Sequence, residues 1–173
     1  MKLIILNGPP GVGKSTIAVR LHEKIANSIL IDVDELRRSI PDYKERRQES
    51  LLLAYEKTRD VIEDALKIGQ DVIIDKAISQ SDTLDSFIAI SKKYDAEVHE
   101  FLLFADEATV QKRADERGYR PGSLLTRERV GELWEKADEL RRERPEAIVI
   151  DTAQLNKEEL FNRITDLIST KKL

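Results

Sequence analysis

The chain contains no cysteine, which excludes disulfides, thiolate catalysis and cysteine-ligated metals. Histidine is almost as scarce. His22 and His99 are the only two, too few for a histidine-rich metal site. Glycine and proline number 7 and 5 and never cluster into a low-complexity stretch or a linker. An excess of positive charge is also missing. The formal net charge is −4, which argues against a protein that wraps duplex nucleic acid, although a local basic channel stays open. No run approaches the ~20 apolar residues of a membrane span. The apolar stretch Leu3–Leu6 is too short for a secretory leader and runs straight into Asn7-Gly8-Pro9, so the expected location is the cytoplasm.

What remains is a chain of 173 residues, 40% hydrophobic and 36% charged. That is the size and balance of one ordinary globular domain with a heavily charged surface. Short apolar runs alternate with longer periodic segments. Strands are expected at Leu3–Leu6, Ser28–Asp32, Asp71–Asp75, Glu97–Phe104 and Ala147–Asp151. Helices are expected at Lys14–Ala26, Asp34–Ser39, Lys44–Lys67, Asp82–Tyr94, Glu107–Arg117, Arg127–Arg142 and Lys157–Ser169. The stripe of the Asp82–Tyr94 helix is read as Leu84, Phe87, Ile88 and Ser91. Trp134 is read as core, and the two histidines as surface or packing residues. The alternation predicts an α/β sandwich with a mainly parallel sheet, and residues 1–173 are read as one domain.

Gly8-Pro9-Pro10-Gly11-Val12-Gly13-Lys14-Ser15 fits G-x-x-x-x-G-K-[ST] at every required position, between an expected strand and an expected helix. The spacing has a mechanical reason. Glycines let the backbone curl until several N–H groups point inward at phosphate oxygens, and the helix that follows adds the positive end of its dipole. Lys14 is placed to reach the β- and γ-phosphates, Ser15 to offer its hydroxyl to Mg²⁺, and Thr16 to lie near the α-phosphate.

Ligands of such sheets bind at the carboxyl ends of the strands. Transfer of a phosphoryl group to a hydroxyl needs a carboxylate there to orient or deprotonate the acceptor. Asp34 is the first choice, expected at the N-cap of a short helix, with Asp32 in reserve on the same side. Asp75 closes the apolar run Val72-Ile73-Ile74 and suits either Mg²⁺ or the acceptor site. Arg37, three residues after Asp34, shares its face. Arg38 is expected to face solvent, and Arg46 and Arg47 to lie on an exposed helix surface. Arg113 and Arg117 are four apart on one helix. With Arg120, in a segment holding Pro121 and Gly122, they outline a lid at about 117–127 that brings cations over the transferred group. Asp151-Thr152-Ala153 lies where backbone groups meet a nucleobase edge.

Four stretches carry a family likeness: GPPGVGKST, VDELRRSI, VIIDKAIS and VQKRADERG. Over roughly Met1–Asp151 the chain resembles the small P-loop kinases, which include adenylate, shikimate, gluconate and adenylylsulfate kinases. The pattern is closest to the polynucleotide 5′-kinase domain, with similar stretches in chloramphenicol phosphotransferase-like and gluconate-kinase-like proteins. The resemblance implies a three-layer sandwich around a five-stranded parallel sheet in the order 2-3-1-4-5, with ATP and Mg²⁺ as cofactors. It further implies Asp34 as general base, Arg37 on the acceptor side, Asp75 organising the acceptor site and Arg117 as the lid arginine.

The reading that follows is an ATP-dependent kinase acting on a hydroxyl of a small molecule such as a sugar, a nucleoside or an antibiotic-like compound. A polynucleotide 5′-hydroxyl kinase is the first alternative, disfavoured by the acidic total. A regulatory ATPase without a small acceptor is the second, weakened by the Asp34/Arg37 pair. No membrane partner is expected, and the sequence is compatible with a monomer or a homodimer.

Overall fold

A computed structural model describes residues 1–119 and 123–170. Strands β1 (Lys2–Asn7), β2 (Ser28–Asp32), β3 (Asp71–Asp75), β4 (Glu97–Phe104) and β5 (Ile148–Asp151) form one sheet. Its order is β2-β3-β1-β4-β5, and every pairing is parallel. Parallel neighbours require crossovers. These are supplied by α1 (Lys14–Lys24), α2 (Val33–Arg38), α3 (Arg47–Lys67), α4 (Ser81–Lys93), α5 (Glu107–Arg117) and α6 (Arg127–Glu143), while α7 (Lys157–Ser169) follows β5.

Strand alternation divides the core in two. Leu3 and Ile5 of β1, with Val72 and Ile74 of β3, face α3 and α4, where Ile62, Leu66, Leu84 and Phe87 are buried. Ile4, Leu6 and Ile73 face the other way, against Ile17 and Leu21 of α1, Val110 and Ala114 of α5 and Ile164 of α7. The central strands are covered on both sides, which is why they are continuous apolar runs rather than alternating ones. Register sets the chemistry at the sheet's carboxyl edge. Asp32 lies beside Asp75, Asp75 beside Leu6, and Asp151 beside Phe104.

Three local expectations are corrected. The N-cap of α2 is Asp32, whose carboxylate accepts from the Glu35 N–H at 3.0 Å. Asp34 sits inside the first turn instead, because the strand ends one residue earlier than a continued extended run would require. Helix α3 begins at Arg47 rather than Lys44. Asp42, just after Pro41, takes a left-handed backbone (φ 54), and the Arg46 N–H closes a turn onto its carbonyl at 2.9 Å. In α4 the buried stripe uses Ile90, with Ile88 only partly covered. Most other boundaries agree to within one or two residues, the normal fraying of element ends.

Candidate active site

The phosphate loop spans the gap between the tip of β1 and α1. Gly8, Gly11 and Gly13 all have positive φ, at 132, 82 and 98. Gly8 has a second reason to be glycine, since a Cβ there would lie 2.0 Å from the Leu103 carbonyl oxygen on β4. The loop is held from behind by Asn7, a buried residue whose Oδ1 accepts from the Gly8 N–H at 2.7 Å and the Ile78 N–H at 2.8 Å. Its amide nitrogen donates back to the Ile78 carbonyl at 3.0 Å. One side chain thus locks the loop to the segment after β3. Pro9 and Pro10 are buried and Val12 packs into the second core.

Lys14 donates to the Pro9 carbonyl at 2.8 Å. Burial lowers its pKa to about 8, opposed by the carboxylates of Asp75 and Asp34 and assisted by the like charges of Lys76 and Arg117. Burial leaves the charge of this cation only partly balanced by those carboxylates, and a polyphosphate would complete the balance.

The acids converge beside it. Asp75 is buried, and its carboxyl is pushed above the usual range by that burial. A Lys14 charge and a hydrogen bond from the Ser15 hydroxyl pull the other way, and Asp32 and Asp34 add to the rise. Asp34 is half-exposed, with 52% of its side chain open to solvent. Desolvation acts to raise its pKa, but the Lys76 ammonium, hydrogen-bonded to Oδ1, outweighs this together with Lys14 and Arg38, and holds the carboxylate below the ordinary range. It is therefore ionised at neutral pH. Asp32 is occupied as the α2 cap and pairs loosely with Arg38 at 3.7 Å, so its carboxylate is spent on backbone and a surface cation.

Arg37 reaches over to α3. Its Nε donates to Ser50 Oγ at 3.1 Å and its Nη2 to the Arg47 carbonyl at 2.5 Å. Burial lowers its pKa, while Asp34 and Tyr55 oppose this and Arg129 and Arg47 add like charge. Tyr55, buried on α3, has its hydroxyl pushed up to about 12 by burial and by Asp34.

On the far side of the loop lies a cavity of about 660 Å³, lined by Gly11–Thr16, Arg113, Glu116, Arg117, Thr152 and residues 155–157 and 160. Its size suits a nucleotide-sized ligand. Arg117 lines it, and among the described residues no hydrogen bond draws its guanidinium away. Arg113 is committed elsewhere: Nη1 donates to Thr152 Oγ1 at 3.0 Å and Nη2 to the Thr152 carbonyl at 2.8 Å. It thereby fixes the turn after β5, in which Asp151 accepts from the Ala153 N–H at 2.8 Å.

Residues 3–140 match the model of a family described as an AAA domain. The chain belongs to this family. It matches no curated protein, but solved structures share its fold. The tunicamycin resistance protein of Deinococcus radiodurans is 21% identical with a TM-score of 0.66, covering 99% of this chain and 98% of that one. A gluconokinase from Sinorhizobium meliloti is 14% identical with a TM-score of 0.69, covering 99% and 98%. A deoxyadenosine kinase from M. mycoides is 17% identical with a TM-score of 0.58, covering 96% and 98%. The five-stranded parallel sheet in the order 2-3-1-4-5 is thus the P-loop kinase fold.

In this AAA-domain chain the residues singled out by sequence fall into two groups. Gly8 to Thr16, Lys14, Asp34, Asp75 and Arg37 gather around the sheet's carboxyl edge. Arg113 and Arg117 stand across the loop, at the nucleotide-sized cavity. Arg120, Pro121 and Gly122 of the expected lid lie outside the described residues. Trp134 is half-buried rather than core, its indole N–H donating to the Ala105 carbonyl at 2.9 Å. His99 is buried and stacked on Phe101. Three site residues escaped the sequence reading. Asn7 carried a signal, as the last residue before the glycine. Lys76 carried one too, directly after Asp75. Tyr55 carried none, because its approach to Asp34 depends on the packing of α3.

No helix among the described residues is long and apolar enough to cross a membrane.

Proposed function

We propose that this protein is a kinase that transfers the γ-phosphoryl group of Mg·ATP to a hydroxyl of a small-molecule acceptor. The observation that carries the reading is Asp34, an ionised and half-exposed carboxylate electrostatically coupled to Lys14 of the phosphate loop. A protein that only bound nucleotide would need no acid facing open space at that point.

The roles follow from position. The loop amides and Lys14 hold the β- and γ-phosphates. Arg117 faces the same space and supports the charge that spreads over the transferred group. Asp34 orients the acceptor hydroxyl and takes its proton. Its low basicity suits a loose transition state, in which the proton leaves late. Arg37 and Tyr55 form the acceptor side with Asp34. Ser15 and Asp75 are the oxygen pair that would hold Mg²⁺, a cation that takes one or two protein oxygens and completes its shell with phosphate and water. Bound there, the metal would neutralise phosphate charge. Arg113 acts on the nucleotide side through the 152–153 turn, and the lid reading of about 117–127 places Arg117 at the lid's root.

One observation favours a second reading, a 5′-hydroxyl polynucleotide acceptor. Arg47 and Arg129 both add positive charge around Arg37, a cationic rim suited to a phosphodiester.

A transfer screen with γ-labelled ATP separates the readings. Its acceptors are gluconate-type sugars, nucleosides, aminoglycoside- and phenicol-type compounds, and a 5′-hydroxyl oligonucleotide. Label is expected on a small molecule, and Asp34→Asn is expected to slow that transfer by about 10²-fold with ATP binding kept. Label on the oligonucleotide alone supports the second reading. An undiminished rate in Asp34→Asn defeats the assignment of the base.

A further inference from the structure

Helix α2 is six residues long and follows the edge strand β2. A short helix at a sheet edge is a poor platform for a group that must meet a phosphate held on the central strand. Something has to fix its distance from the phosphate loop. The structure offers one such connection. Lys76 lies directly beyond β3, its N–H donating to the Leu6 carbonyl at 3.3 Å and so extending the β1–β3 ladder by one residue. Two residues on, Ile78 is clamped at both its N–H and its carbonyl by Asn7, which also holds the Gly8 N–H. The backbone that carries Lys76 is therefore tied, through Ile78, to the side chain that sets the start of the phosphate loop.

From that anchor the Lys76 side chain runs into the protein, 10% exposed, and its ammonium contacts Asp34 Oδ1 across 42 residues of sequence. Burying an ammonium is expensive, and an apolar residue of the same length would pack at less cost. The pairing also has a direction. Lys76 engages Oδ1, and among the described residues no hydrogen bond reaches Oδ2. A carboxylate held by one oxygen presents the other in a fixed orientation. Among the described residues the groups facing Asp34 are Lys76 after β3, Lys14 from the loop, Arg37 and Arg38 on its own helix, Asp75 and Tyr55. Of these, Lys76 alone both touches it and is tied to the phosphate loop.

We propose that Lys76 is a positioning residue for phosphoryl transfer, a strut from the phosphate loop that fixes Asp34 with one carboxylate oxygen turned to the acceptor. This rests on the reading of Asp34 as the base. Lys76 acts through Asp34 and not on the nucleotide.

A double-mutant cycle on the full-length protein tests it without knowledge of the natural acceptor. The probe is Mg·[γ-³²P]ATP at single turnover with water as the acceptor, measured in wild type, Asp34→Asn, Lys76→Met, Lys76→Arg and the Asp34→Asn/Lys76→Met pair. Misplacing a reactive group by about 1 Å costs up to about 10²-fold. Lys76→Met is therefore expected to slow hydrolysis by about tenfold or more with ATP affinity within about twofold, and Lys76→Arg to recover part of the rate. In the Asp34→Asn background Lys76→Met should cost nothing further. Additive losses overturn the strut, as does a wild-type rate in Lys76→Met or a loss of ATP affinity matching the loss of rate. A wild-type rate in Asp34→Asn counts against the base itself; should the wild type exclude water, the same cycle is read on the acceptor that takes label in the transfer screen. Thermal melts provide the structural control. Asp34→Asn should lower the midpoint by stranding a buried ammonium, and adding Lys76→Met should restore it. A midpoint unmoved in Asp34→Asn also overturns the pairing.

Discussion

Replacing Gly8 by alanine tests how the phosphate loop is held to the sheet. Two effects act at this position and a second glycine separates them. Gly8 has φ 132, and a Cβ there meets the Leu103 carbonyl oxygen at 2.0 Å and its carbon at 3.0 Å. Gly69, after α3, has φ 80 and nothing within 4 Å of a Cβ. Gly69→Ala therefore measures left-handed backbone strain alone, about 1–2 kcal/mol. Gly8→Ala carries strain of about 1–3 kcal/mol plus a contact no real Cβ makes, against backbone that cannot swing aside. Relief requires β4 and the loop to separate, which pulls the Gly8 N–H off Asn7. The expected cost is more than about 3 kcal/mol, together with loss of Mg·ATP binding, since the loop amides no longer converge. Urea unfolding gives the first quantity and titration calorimetry the second. Equal costs for the two variants, with ATP binding intact in Gly8→Ala, would refute the close approach as the reason for this glycine.

Arg144, 3% exposed, grips Glu100 through Nε and Nη2 at 2.7 and 2.8 Å and Asp85 through Nη1 at 2.8 Å, joining the end of α6 to β4 and α4. Arg144→Met strands the buried Glu100 and should cost about 3–5 kcal/mol in urea unfolding; an unchanged midpoint would show the network to be idle. Lys14 titrates at about 8 in the folded protein against 10.5 unfolded. The folded form binds fewer protons across that window, so this group disfavours folding below pH 8, and the penalty is relieved as pH rises through 8 to 10.5. Triphosphate charge raises the Lys14 pKa again, so Mg·ATP binding above pH 8 should take up protons. Calorimetry in buffers of different ionisation enthalpy reads this, and uptake persisting in Lys14→Met would exclude Lys14 as its source. Arg117→Ala should slow transfer by about tenfold or more at saturating ATP. Arg113→Met should chiefly raise the KM for ATP, through the 152–153 turn. Initial-rate kinetics showing the reverse pattern would exchange the two roles.

Much of this protein was legible before folding. The loop glycines, Lys14 and Ser15 form a contiguous local motif, so their geometry is written in adjacent residues. The apolar runs of β1 and β3 are continuous because both faces are buried, and that pattern marks parallel strands directly. What misled the reading was local competition at element ends. Asp32 took the cap that Asp34 was expected to fill, and the left-handed Asp42 delayed α3. Each turns on one residue's backbone angle, which periodicity does not encode. The surroundings of Asp34 needed the tertiary structure. Lys76 and Asp34 are 42 residues apart, Tyr55 meets them only through helix packing, and Arg113 spends its donors on Thr152, 39 residues away. Sequence alone determined which strand would hold the phosphates, because that chemistry resides in consecutive amides. Only the folded chain decided which carboxylates stand beside Lys14 and which ammonium meets Asp34, because buried charges are placed by partners that the sheet brings together.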